Sequence, residues 1–211
     1  MQAMLPHAFV YLASQSPRRI QLLDQLGVAH RPLLPDRTED SEALEEAHHG
    51  ELPLDYVRRV TLLKLNAARA RLRRRGLPEA PILCADTTVC VGRRILGKPQ
   101  GPEHAAAMLR ALSGRTHRVM TCVVVGIGIG PGARHFLDTS VSRVRFAALS
   151  ETSIQRYVDS GEPQGKAGAY AIQGRIAAWI EHIEGSYTGI MGLPLHETTT
   201  LLSRARVRLE L

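Results

Sequence analysis

"AFVYLASQSPRRIQLLDQLG" (residues 8–27) passes from one regular pattern into another. Residues 8–14 are an almost unbroken apolar run, which predicts a buried strand. Ser16 then suits a helix N-cap, Pro17 the first helical position and Gly27 the stop, with Ile20, Leu23 and Leu26 marking one face. A strand feeding directly into a helix is the repeating unit of α/β folds. The same stretch carries an electrostatic conflict. Arg18 and Arg19 fall in the first helical turn, where backbone N–H groups are unpaired and the dipole is already positive. An anion from outside the chain would relieve it.

The alternation continues downstream. A polar, acidic loop is expected from Asp36 to Ser41, then a helix from Leu54 to Arg75 with Val60, Leu63 and Ala67 on one face, Lys64 beside that face and Gly76 as the stop. "PILCADTTVCVG" (81–92) predicts a strand, and Gly101-Pro102 open a helix that runs through Leu112. "RVMTCVVVGIGI" and "HFLDTSVSRVRF", separated by the turn "GPGAR", predict an antiparallel pair. Ser150 caps a further helix carrying Ile154, Tyr157 and Val158, and a last helix begins near Pro194. Strands alternating with helices, with at least one hairpin, indicate an α/β fold with a mixed sheet flanked by helices. The 211 residues fit a single domain, 1–211, without repeat or long linker.

With 44% apolar and 22% charged residues, the composition is that of a globular protein, and no apolar run approaches the roughly 20 residues needed to cross a bilayer. The first residues lack the basic segment of a signal peptide, and three cysteines (Cys84, Cys90, Cys122) without a C-x-x-C pair argue against a disulfide framework, so the cytoplasm is the expected compartment. The net charge of +7 is compatible with nucleic acid or with a polyanionic small substrate. Much of the excess sits in "ARARLRRRG" (68–76), a helix end where cations complement the dipole, and only 4% of residues are aromatic, too few for a base-stacking platform.

Asp86 interrupts an otherwise apolar strand, a costly place for a carboxylate unless hydrogen bonds or a cation compensate it. A strand-end aspartate bonded to Thr87 or Thr88 is the plainer reading of that residue taken alone. Lys98 follows on the turn "GKPQ", and "GEPQGKAGAYAIQG" (161–174) adds Lys166 and Gln173 on a glycine-rich loop. No G-x-x-x-x-G-K-[ST], H-E-x-x-H or nucleophile elbow around Ser14 and Ser16 is present, and "GIGIGPG" does not complete G-x-G-x-x-G. What remains is an anion site at Arg18 and Arg19, lysines at 64, 98 and 166, and carboxylates at Glu39 and Asp86. Several cations with a few acids suit a substrate with several phosphates, with a divalent cation bridging phosphate and carboxylate. A nucleoside triphosphate has that form. The reading from another class is a basic protein that binds nucleic acid or a division partner without turnover.

The chain resembles the Maf family of nucleoside triphosphate pyrophosphatases through six ordered motifs: "LASQSPRRIQLLDQLGV", "TED", "YVRRVTLLKLNAARA", "ADTTV" with "GKP", "HAAAMLRALSGRTHRVMT", and "KAGAYAIQG" with "GSYTGIMGLPLHET". The resemblance implies two lobes around a central cleft, hydrolysis of the link between α- and β-phosphates, a divalent cation (magnesium or manganese) and a homodimer. It implies Asp86 as the catalytic acid that activates water or holds the metal, and Glu39 as the second metal ligand. Arg19, Lys64, Lys98 and Lys166 take phosphate-facing positions, with Ser14 among the substrate-binding residues. "GKAGAYAIQG" is similar to the branch that prefers dTTP and UTP, whose selectivity positions fall on Arg18, Thr87 and Gln173. Gly165 and Ala171 depart from that pattern, which has aspartate before the lysine and glycine after the tyrosine.

Overall fold

In the computed structural model, which describes residues 6–36, 39–40 and 43–209, the chain runs β1 (Val10–Leu12), α1 (Pro17–Gln25), β2 (His30–Pro32), a 3₁₀ turn (Ala43–Glu45) and α2 (Pro53–Arg74). It continues through β3 (Ile82–Val91), β4 (Arg94–Leu96), α3 (Pro102–Leu112), β5 (Thr116–Ile127), β6 (Arg134–Phe146) and α4 (Glu151–Asp159). β7 (Ile180–Glu184), α5 (Tyr187–Met191) and α6 (Leu195–Arg204) complete it. Of the expected acidic loop, residues 37, 38 and 41 lie outside the described residues.

The seven strands form one mixed sheet, β2-β1-β3-β5-β6-β7, with β4 on the same edge of β3 as β1. β1 runs parallel to β2 and β3; every other pairing is antiparallel. One break in this ladder positions the site. β1 pairs with β3 only at Ile82 and Leu83, and β4 takes over only at Val89. Between them the strand pairs with β5 alone, in a register that sets Asp86 against Cys122 and Thr87 against Thr121. The chain leaving β1 turns away into α1, and a crevice opens where two neighbours of one strand diverge, as at the switch points of α/β sheets.

Side chains of β3 alternate across the sheet. On one face Ile82, Cys84 and Cys90 pack against α2 through Val57, Val60, Leu65, Ala68 and Leu72. On the other, Leu83, Ala85 and Val89 join the larger core with Leu22 and Leu23 of α1, Leu109 and Leu112 of α3, and Leu201 and Leu202 of α6. Two expected helix faces are shifted. Ile20 is 39% exposed, because α1 buries Leu22 and Leu23 instead. In α2 the buried stripe follows Val57, Val60, Leu65, Ala68 and Leu72, whereas Leu63 and Ala67 are half-buried, since Ala67 stands on the crevice wall.

Candidate active site

The crevice is a cleft of about 460 Å³, and the residues around it come from distant parts of the chain. Asp86 and Thr87 sit on its floor, α1 contributes Arg18 and Arg19, α2 contributes Lys64, and two loops contribute Lys98, Lys166 and Gln173. Ser14, at the turn between β1 and α1, completes the expected group. Nine of the ten expected site residues therefore line one cleft; Glu39 is the exception.

Glu39 faces elsewhere. Arg71 grips its carboxylate with Nε at 2.9 Å and Nη2 at 2.6 Å, Arg74 adds a bond at 2.7 Å, and these bonds pull its carboxyl down to about 2. Arg71 also donates to the Leu33 carbonyl at 2.7 Å, so the basic end of α2 pins the chain between β2 and the 3₁₀ turn rather than complementing only its own helix end. The carboxylate found in the cleft is Glu45, which the sequence reading missed. It lies in the acid-rich stretch "SEALEEAHHGE", where no periodicity separates one glutamate from the next. The Tyr56 hydroxyl donates to its carbonyl at 2.8 Å and anchors the turn.

Asp86, Lys64, Glu45 and Lys98 form an alternating chain of charge. Lys64 Nζ lies 2.5 Å from Asp86 Oδ1 and 2.7 Å from Glu45 Oε1, while Lys98 Nζ lies 2.7 Å from Glu45 Oε2. Asp86, only 8% exposed, is thus compensated by the half-buried Lys64 rather than by Thr87 or Thr88. Burial opposes the charge on Lys64, but Asp86 and Glu45 outweigh it and raise its pKa above the usual lysine value. Burial likewise opposes ionisation of Glu45, and Lys64 and Lys98 outweigh it, so this carboxyl is lowered. Glu45 and Lys64 therefore both stay charged at neutral pH.

The opposite face of β3 carries hydroxyls and arginines. Arg19 donates from Nε to the Gly192 carbonyl at 2.7 Å, from Nη1 to Ser14 Oγ at 3.2 Å and from Nη2 to Thr87 Oγ1 at 3.3 Å. Arg18 Nε donates to the Met191 carbonyl at 3.2 Å. Both cations at the start of α1 are thus met by carbonyls at the C-terminal end of α5, where helix carbonyls lack intrahelical partners. The conflict visible in the sequence is relieved inside the protein.

The loop bearing Lys166 and Gln173 is clamped twice. Gly168 N donates to the Gly97 carbonyl at 3.0 Å, beside Lys98. Gly168 has φ +68°, and an added Cβ would come within 3.0 Å of Val89, so only glycine fits there. Tyr170, on the cleft wall, meets His117 Nε2 through its hydroxyl at 2.7 Å, and both rings pack edge-on against Phe146. Burial pushes His117, 1% exposed, down to about 4, so it is neutral. Lys166 donates to the Glu162 carbonyl, and burial, then the charge of Arg18, lowers its pKa. Gly165, where the family pattern has aspartate, has φ +68° and open space around the missing side chain.

Asp86 and Glu45 suit a hard divalent cation: both are oxygen donors, and they flank one cationic group, the Lys64 ammonium. No group of three or more histidine, cysteine or acidic side chains that could hold a metal ion is found among the described residues. A cation here would complete its shell with water and phosphate oxygens, as magnesium does in nucleotide sites.

The family model described as Maf-like protein matches residues 9–205. A protein of Cupriavidus pinatubonensis named dTTP/UTP pyrophosphatase is 60% identical over 202 residues, covering 96% of this chain and 99% of its own. Proteins of the same name from a Polaromonas species and from Ralstonia nicotianae are 58% and 57% identical, over 95% and 97% of this chain and 98% and 97% of theirs.

Proposed function

The chain belongs to the Maf family, and from the cleft that splits its sheet we propose that it is a nucleoside triphosphate pyrophosphatase acting on dTTP and UTP. The observation that carries this reading is that Lys64, Lys98 and Lys166 line one cleft together with Asp86. A lone basic surface for nucleic acid would not enclose a carboxylate among its cations.

In this reading the triphosphate lies along the lysines and displaces Glu45 from Lys64 and Lys98. Asp86 accepts a proton from water as the water oxygen bonds to the α-phosphorus, and the bond from that phosphorus to the bridging oxygen breaks. The nucleoside monophosphate and pyrophosphate leave, and the proton passes from Asp86 to solvent. Lys64 holds the carboxylate in place through Oδ1 at 2.5 Å. Fixed ammonium groups stabilise the charge that develops on the pyrophosphate. Asp86 and Glu45 would hold a magnesium or manganese ion, which when bound neutralises phosphate charge. In the same reading Arg18, Thr87 and Gln173, which line the cleft, contact the base. A homodimer and a cytoplasmic location belong to the same reading, supported by the family resemblance; size-exclusion chromatography measures the first.

The test is a nucleotide panel with pyrophosphate detection, with and without magnesium or manganese. Monophosphate and pyrophosphate in equal amounts from dTTP and UTP are expected. No release from any nucleotide with either metal, together with nucleic-acid binding that falls steeply with salt, would replace the reading with a non-catalytic one.

A further inference from the structure

One hydroxyl proton, traced through three residues, determines what Thr87 can offer a ligand. Thr121 Oγ1 donates its proton to the Gly189 carbonyl at 2.7 Å, since a carbonyl oxygen can only accept. A hydroxyl has a single proton, so in the 2.9 Å bond between Thr87 Oγ1 and Thr121 Oγ1 the donor is Thr87. Thr87 Oγ1 also accepts from Arg19 Nη2 at 3.3 Å, and a guanidinium has no acceptor with which to reverse the chain. Thr87 is left with one lone pair and no proton. Thr121 is 1% exposed, so solvent offers it no alternative partner.

An acceptor-only hydroxyl on the cleft wall gains nothing from a phosphate oxygen, which is itself an acceptor. It does gain from a base edge that donates. Gln173 carries both donors and an acceptor on one amide and can turn either toward a base, so it cannot by itself separate two edges. Thr87 can, because its polarity is set from behind.

We propose that Thr121 is a positioning residue that holds Thr87 as an acceptor, so that the site selects bases presenting a ring N–H, the imide of thymine and uracil. Cytosine in the same register presents a bare ring nitrogen and is disfavoured. The inference rests on the pyrophosphatase reading for the ligand being a nucleotide, and adds the residue and the hydrogen-bond polarity that choose its base.

The experiment compares kcat/KM for dTTP and dCTP in the wild type, Thr121→Val and Thr121→Ser. Valine is nearly isosteric and frees the Thr87 proton, so the dTTP/dCTP ratio is expected to fall about tenfold, through KM, with kcat on dTTP within about threefold. Serine restores the relay and the wild-type ratio. A folded valine variant with an unchanged ratio overturns the proposal, and so does an equal loss on both nucleotides, which is what a purely structural role would produce. Should the valine variant not fold, Thr121→Ala, which also lacks the hydroxyl, decides by the same ratio: an unchanged ratio overturns the proposal, and a lowered ratio with kcat on dTTP kept supports it. Equilibrium binding of dTMP and dCMP reads the same preference without turnover. A wild type that prefers dTMP yet releases no pyrophosphate sinks the pyrophosphatase reading and leaves this one standing; equal binding of the two overturns this one alone.

Discussion

Asp86 and Thr87 are neighbours in one strand, yet they belong to two differently built halves of the cleft. On the α2 side Asp86 enters a chain of full charges: carboxylate, ammonium, carboxylate, ammonium. On the α5 side Thr87 enters a chain of hydroxyls, backbone carbonyls and one half-buried guanidinium, with the neutral His117 and Tyr170 farther along the same face. Formal charges attract at long range and can be displaced by a more highly charged ligand, which suits a phosphate chain. Hydrogen bonds to fixed dipoles are short-ranged and directional, which suits a base edge. In the proposed reading, the pleat of a single strand divides the two tasks.

The largest expected effect falls on the charged side. Asp86→Asn keeps the shape and removes the proton acceptor, so pyrophosphate release from dTTP is expected to drop by about 10³-fold with the fold intact by circular dichroism. A loss under tenfold would mean that the division of tasks is wrong.

The neutral side is the one expected to fail in acid. His117 titrates near 4 when folded against about 6.5 when unfolded, so between these values the unfolded chain binds more protons and stability falls as pH falls. The loss amounts to about 3 kcal/mol between pH 6.5 and 4, read by urea unfolding, and His117→Gln is expected to flatten that slope. Glu39, lowered from 4.5 to about 2, loses its own contribution as pH falls from about 4.5 to about 2. An equal slope in the His117 variant would move the acid sensitivity to the charged side.

Two glutamates sharpen the boundary of the charged chain. Glu45→Gln is expected to raise the magnesium concentration for half-maximal activity about tenfold, because a carboxylate beside Asp86 is lost. Glu39→Gln is expected to leave kcat/KM within about threefold and to cost about 1 kcal/mol of stability, since it only loosens the grip of Arg71. If the effects were reversed, Glu39 and not Glu45 would belong to the catalytic half.

Much of the fold was legible because its signals are local. Ser16-Pro17, Gly101-Pro102 and Ser150 begin the helices they predict, and the β5–β6 hairpin follows its two β-rich runs. Asp86 stood out because a charge in an apolar strand demands a partner. The partner could not be read in the same way: Lys64 is 22 positions away and Glu45 comes from a stretch with several equivalent acids. Thr121 gave no signal at all, since a threonine in a β-rich run is ordinary. Its role arises only from the register that sets it opposite Thr87 and from the Gly189 carbonyl behind it.

The pair Arg18 and Arg19 marks the limit. By itself the sequence determined that two cations stand at a helix start, because capping, proline placement and apolar spacing are properties of neighbouring residues. It also determined that such charges need an acceptor. Only the tertiary structure decided which one: the carbonyls of Met191 and Gly192, at the end of a helix 173 positions away for each arginine. A hydrogen bond has a range of about 3 Å and takes no account of sequence separation, so its partner is chosen by how the layers pack.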